Sequence, residues 1–238
     1  MRYELYYWSG IQGRGEFVRL ALEEAAADYV DVCRNEGGED AMMALLGDRT
    51  VPRPPFAPPF LKAGRQLIGQ TANILFYLGA RHGLAPQDDA GRLWTHQLQL
   101  TIADLVNEVH DSHHPLASSM YYEEQRREAK KRAANLVQER LPKFLGYLER
   151  VLVKSARTPR FLAGRTLTYV DLSMFQVVAG LRYAYPNAMA RLEEQCKGLV
   201  DLHERVRMRP RIAAYLASAR RLPFNEQGIF RHYRELDV

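Results

Sequence analysis

The chain has 238 residues, 47% of them hydrophobic and 26% charged, with a formal net charge of +5. That is enough apolar material for one large domain or two smaller ones sharing an interface, and it excludes a disordered chain. The positive excess is small and dispersed. Its densest run, Arg126-Arg127 to Lys130-Lys131-Arg132, contains Glu128 and no aromatic residue, so it reads as a solvated helix face and not as a nucleic-acid patch. No apolar run approaches membrane-spanning length. Cys33 and Cys196 stand far apart, with neither CxxC nor metal-type spacing and no signal peptide ahead of them. These features predict a soluble, cytoplasmic protein in a reducing compartment.

In chain order, residues 2 to 7 read as a strand, with Tyr3, Leu5 and Tyr7 on one face and Arg2, Glu4 and Tyr6 on the other. Ser9 to Gly13 is a turn. From Gly15 to Ala27 apolar side chains recur at helical spacing, and Tyr29 to Cys33 reads as a second strand. Residues 34–57 are Gly-rich and then Pro-rich, a loop with at most a short helix over Met42 to Leu46. Phe60-Leu61-Lys62 and Gln66-Leu67-Ile68 flank Ala63-Gly64-Arg65, a hairpin signal. A helix follows from about Thr71 to Arg81. The order β-α-β-loop-β-β-α predicts a compact α/β unit of thioredoxin size over residues 1–81. Residues 82–91 read as a linker. Residues 92–238 carry almost purely helical patterns: Leu93 to Val109, Glu123 to Leu152 with Pro142 inside, Thr168 to Val178, Glu193 to Val206 and Pro210 to Ala219. Thr168-Tyr169-Val170-Asp171 is a capping-box signal at the start of an apolar, buried helix.

Two features point to chemistry. Pro58-Pro59-Phe60-Leu61 makes a rigid extended edge suited to pairing with a peptide, and Gln70-Thr71-Ala72-Asn73 opens a helix with small polar groups. A helix N-terminus offers unpaired N–H groups and partial positive charge, which suits a carboxylate. Together they form a cradle for a small anionic peptide. The simpler explanations are capping by Thr71 and core packing by Tyr7.

These residues resemble the soluble glutathione transferase family over nearly the whole chain. Tyr7-Trp8, then Gly13-Arg14-Gly15-Glu16 and Arg19, resembles the Tyr-type (mu, pi and sigma-like) opening. Pro58-Pro59-Phe60-Leu61 resembles its cis-proline turn, and Gln70-Thr71-Ala72-Asn73-Ile74 its Gln-Ser-x-x-Ile glutathione motif. Asp104 resembles the acid that reaches the partner subunit's glutathione, and Gly164-x-x-Leu167-Thr168-x-x-Asp171 the family's capping box. The resemblance implies a thioredoxin-like N-terminal domain followed by an all-α C-terminal helical domain with a hydrophobic co-substrate site. It also implies a homodimer, glutathione as co-substrate without a metal, and a detoxifying alkyl or aryl transfer to small apolar electrophiles.

In that reading the Tyr7 hydroxyl donates to the glutathione sulfur and Arg14 adds positive field. Ala57, Pro58 or Pro59 pairs with the peptide backbone, Gln70 and Thr71 hold the γ-glutamyl end, and Asp104 answers its ammonium across the dimer. The turn from Tyr7 to Gly13 is one residue longer than in Tyr-type relatives, and Ser9 is the second candidate donor. Either Pro58 or Pro59 is the cis residue. The alternatives are a glutathione or ligand carrier with little catalysis, or a glutathione-dependent peroxidase or isomerase. A thiol–disulfide role is disfavoured, because no cysteine stands at the Tyr7 to Ser9 turn. His110, Asp111, His113 and His114 sit at near-helical spacing but lack HExxH or a nearby cysteine, so no metal is assigned. The segment from Pro223 to Val238 either covers the active site or packs on the helical part.

Overall fold

A computed structural model describes residues 1–154 and 161–237. Four strands form one mixed sheet in the order β2-β1-β3-β4: β1 (Tyr3–Tyr6), β2 (Tyr29–Asp31), β3 (Phe60–Ala63) and β4 (Gln66–Gly69). β1 runs parallel to β2 and antiparallel to β3, and β3 pairs antiparallel with β4. α1 (Gly15–Glu24) connects β1 to β2, and α3 (Thr71–His82) follows β4. Period-two alternation decides what each face of β1 meets. Tyr3 and Leu5 join Phe17, Leu20 and Leu75 in the main core. Tyr6 points the other way and stacks on Phe60 at 4.6 Å between ring centroids, in a smaller cluster with Cys33 and Met42.

Met42 belongs to α2 (Gly38–Gly47), a ten-residue helix where the sequence predicts mostly loop. Its N-cap is Gly37, whose φ of 70° favours glycine. The same glycines that suggest a loop make the helix start, and Gly38 allows it to press against the Val32 carbonyl.

The helical part begins earlier than predicted. α4 spans Asp89–Asp111, because Asp88 caps it by accepting from the Gly91 N–H at 2.8 Å, which takes Asp89 to Gly91 out of the predicted linker. Leu98, Ile102, Leu105 and Val109 are its buried stripe. The periodic stretch 123–152 is α5 (Arg126–Asn135) and α6 (Leu141–Lys154), joined by a π turn over Leu136–Arg140. Pro142 stands just after that turn and has no N–H to continue a regular i→i−4 ladder.

α7 (Tyr169–Ala184) is longer than the pattern shows and almost wholly buried. α8 (Pro186–Glu193) was not predicted; it starts on Pro186 at its first turn. α9 (Lys197–Arg207) and α10 (Pro210–Leu216) complete the bundle. The capping box forms as its spacing predicts: Asp171 accepts from the Thr168 N–H at 2.7 Å and from its hydroxyl at 2.8 Å, and also from the Leu162 N–H at 2.8 Å.

The C-terminal segment packs on the helical part. Ile229, Phe230 and Leu236 are buried, and Phe230 lies against Gly180. Tyr233 stacks on Tyr122 at 3.8 Å, and Asp237 accepts from the first N–H groups of α8. Val238 lies outside the described residues. Tyr122 is therefore a packing residue.

Candidate functional site

Strand register gathers the sequence motifs at one end of the sheet. Tyr6 pairs with Phe60, and Phe60 with Gly69. Tyr7 follows the last residue of β1, Pro59 precedes the first of β3 and Gln70 follows the last of β4, so the three flank the same end of the sheet. Antiparallel pairing thus brings three separate sequence motifs to one end of the sheet.

Tyr7 is 4% exposed. Its hydroxyl accepts from the Arg14 main-chain N–H at 2.9 Å. A side chain on Gly13 (φ 44°) would collide with that hydroxyl, and one on Gly15 would come within 2.6 Å of the ring, so the glycines of this turn are required by close approach. Burial pushes the Tyr7 phenol above its ordinary value, against the Arg14 N–H and the Arg14 and Arg19 charges, which pull it down. The hydroxyl therefore keeps its proton at neutral pH, and that proton has no acceptor among the described residues.

Arg14 joins three elements. Its N–H holds Tyr7, and its carbonyl faces the Thr71 hydroxyl at 3.5 Å. Its guanidinium donates to Asn107 Oδ1 on α4 at 2.7 Å. The sequence reads this residue as a source of positive field; its charge does act on Tyr7, and its direct contact with the hydroxyl is through the backbone. Arg19 is fully buried, with its guanidinium 5.9 Å from the centre of the Tyr7 ring.

Gln70 takes φ 68° and ψ 120° just ahead of α3. For a residue with a Cβ this is strained, and strain of this kind concentrates at ligand sites. The N–H groups of Thr71, Ala72 and Asn73 have no partner within the helix they open. A cavity of about 330 Å³ lies between this end of α3 and α4. It is lined by Arg14, Gln70, Thr71, Asn73 and Asn107, over a floor of Phe17, Ile102 and Val106. A larger groove of about 980 Å³ follows the β4 edge and shares only Asn73 with it.

The remaining predicted residues lie outside that lining. The Pro58–Pro59 bond is cis. Pro58 carries a carbonyl but no N–H, and Ala57 is exposed. Asp104 is exposed on α4 and is not among the residues that line the cavity, although Leu100 and Asn107, one turn to either side, are. The Ser9 hydroxyl donates to Glu39 at 2.6 Å and its N–H to the same oxygen at 3.0 Å. His113 bonds His114 ring to ring and the Ile229 carbonyl at 2.8 Å. Burial lowers His113 to about 2 and His114 to about 4. Among the described residues no three His, Cys, Asp or Glu side chains form a group that could hold a metal ion.

A thioredoxin-like sheet unit followed by a helical bundle is the architecture of the soluble glutathione transferases, and the comparisons agree. Residues 110–219 match the family model of the glutathione S-transferase C-terminal domain. The chain is 26% identical to glutathione S-transferase P 1 of Xenopus laevis, over 91% of this chain and 92% of that one. It is 22% identical to a glutathione S-transferase of Plasmodium yoelii yoelii, over 87% and 90%. Its structure superimposes on the Pi-class glutathione S-transferase of Onchocerca volvulus with a TM-score of 0.73 at 21% identity, covering 96% and 99% of the two chains. For prostaglandin synthase D of Nilaparvata lugens the TM-score is 0.72 at 19% identity, covering 94% and 100%. The sequence matches are thus to glutathione S-transferases, with the family model covering residues 110–219, and the structural matches show the shared fold. No helix among the described residues is long and apolar enough to cross a membrane.

Proposed function

We propose that the chain conjugates the thiol of glutathione to small apolar electrophiles, with the Tyr7 hydroxyl stabilising the thiolate. The observation that carries this is the Tyr7 hydroxyl itself. It is fixed by the Arg14 N–H, retains its own proton, and stands at the sheet end shared by Pro59 and Gln70. A free cysteine thiol ionises near pH 8.5, and lowering this by about two units takes about 2.7 kcal/mol of preference for the anion. A hydrogen bond to a charged group supplies roughly 1.5–3 kcal/mol. The thiol proton leaves to solvent, the sulfur lone pair forms the C–S bond, and the electron pair displaced from the electrophile leaves with its departing group or is protonated.

In this reading residues 1–81 hold glutathione and residues 92–238 supply the second substrate's wall. Gln70 and Thr71, with the unpaired N–H groups of α3, receive the γ-glutamyl carboxylate, and the Pro58 carbonyl pairs with the peptide. Arg14 acts through its main chain. The chain works as a cytoplasmic homodimer in which Asp104 reaches the partner's glutathione. Exposed Leu93, Leu100 and Asp104 recur at i, i+7 and i+11 on one face of α4, and Phe56 is 95% exposed among prolines. Such apolar exposure fits a self-complementary contact.

A carrier is the second reading, favoured by the deep burial of Tyr7 and its absence from the cavity lining. The ultraviolet absorbance of the thiolate, titrated against pH with glutathione bound, separates the two. A bound thiol pKa about two units below the free value supports the transferase. An unshifted value supports the carrier, and no binding removes both.

A further inference from the structure

Behind the proposed chemistry, a connected set of buried polar groups lies where the turn at residues 9–14 meets the segment after α10. Gln12 and Glu16 are 5% and 0% exposed. The Gln12 amide donates to the Leu222 carbonyl and accepts from Gln176 Nε2 at 2.7 Å. Gln176, in α7, accepts from Arg221 Nη2 at 2.9 Å. Arg221 Nη1 donates to Glu16 Oε1, which also accepts from the Tyr215 hydroxyl at 2.7 Å. The other Glu16 oxygen faces Arg19 Nη1 at 3.3 Å. The Glu16 N–H returns to the Gln12 carbonyl at 3.0 Å and closes the circuit. On the outer side of the same turn, Asn225 Nδ2 donates to the Gly10 carbonyl at 2.9 Å.

This turn needs external support. It contains Gly10 and Gly13, whose backbones are the least restricted by their own side chains. Yet it must deliver the Arg14 N–H to one place. Arg221 suits the task, because a planar guanidinium fork can bridge a carboxylate and an amide at once, and a lysine cannot. Enclosure from water strengthens each of these bonds and makes leaving one unmade costly.

We infer that Arg221 is a positioning residue for Tyr7: by bridging Glu16 and Gln176 it clamps the turn whose Arg14 N–H holds the Tyr7 hydroxyl. The C-terminal segment is thereby part of the apparatus that aims the thiol-facing group, although it touches neither the thiol nor Tyr7. The effect on glutathione rests on the transferase reading above; the clamp itself does not.

Two variants test it. Arg221→Lys keeps a cation beside Glu16 but removes the fork. Asn225→Ala releases the Gly10 carbonyl from the outer side and disturbs no buried charge. The first readout is amide hydrogen exchange. Residues 9–15 should exchange about tenfold faster in Arg221→Lys, a loosening of about 1.4 kcal/mol, while β3 and β4 keep wild-type protection. The second is the pKa of bound glutathione, expected to rise by about one unit, so that roughly tenfold less thiolate forms at neutral pH, with little change in the glutathione dissociation constant. Asn225→Ala should move both in the same direction by less.

Unchanged exchange over residues 9–15 in both variants overturns the clamp. Faster exchange with an unmoved thiol pKa overturns its link to Tyr7. An unshifted thiol in the wild-type protein overturns the transferase reading instead, and the clamp is then decided by exchange alone.

Discussion

The Arg14 main-chain N–H donates to the Tyr7 hydroxyl at 2.9 Å. An oxygen that already accepts one hydrogen bond is a better donor of its own proton, and here that proton has no acceptor among the described residues. Tyr7→Phe should therefore lower kcat/KM for a chromogenic electrophile roughly ten- to hundredfold, the equivalent of one hydrogen bond to an anion. Glutathione affinity, read by isothermal titration, should hardly change. Full activity in this variant would move thiolate stabilisation to another group.

Ser9 provides the control. Its hydroxyl donates to Glu39 at 2.6 Å, and these bonds draw the Glu39 carboxyl below its ordinary value. A hydroxyl already committed to a carboxylate is not free to donate to a thiolate. Ser9→Ala should keep close to wild-type turnover and thiol pKa in the same assay. A loss comparable to that of Tyr7→Phe would reverse the assignment of the two residues.

The contrast between these two side chains shows how far the sequence reaches. Tyr7 and Ser9 are both visible as candidate donors, but what separates them is the Glu39 carboxylate, and Glu39 belongs to a helix that its glycines disguise as loop. The hairpin β3–β4, the start of α3 and the Thr168–Asp171 box were legible, because each depends on partners a few residues apart. Gln12, Glu16 and Gln176 were not. Polar residues in turns and at helix positions read as solvent-facing, and their partners lie 164 and 199 residues away for the Gln12–Gln176 and Glu16–Tyr215 bonds. Arg14 was visible as a charge, while the group it gives Tyr7 is a main-chain N–H that every non-proline residue possesses.

Asp104 tests the proposed dimer. It is exposed on α4 and lies outside the lining of its own chain's cavity, which leaves its carboxylate open to glutathione held by a second copy. Asp104→Ala should weaken glutathione binding by roughly twofold to fivefold, the scale of a partly solvated ion pair, and leave kcat at saturating glutathione unchanged. Sedimentation should show a dimer in both forms. If the dissociation constant stays the same, Asp104 is a solvated surface acid.

Asp171 has a consequence for stability that changes with pH. It is fully buried, and burial pushes its carboxyl up to about 6, against the bonds donated by Leu162 and Thr168. Its ordinary value is 3.8. The folded state therefore binds this proton more tightly than the unfolded chain does. The stabilising contribution is complete below the unfolded value and is lost as pH rises through about 6. Asp171→Asn cannot titrate, so its own cost, one reversed amide contact, is constant over the range. Urea unfolding followed by far-ultraviolet circular dichroism, on both proteins from pH 4 to pH 7, isolates the difference. Wild type should lose about 2 kcal/mol relative to the variant across that interval. A wild-type protein that instead gains on the variant as pH rises would mean that the donated hydrogen bonds outweigh burial and hold Asp171 ionised throughout.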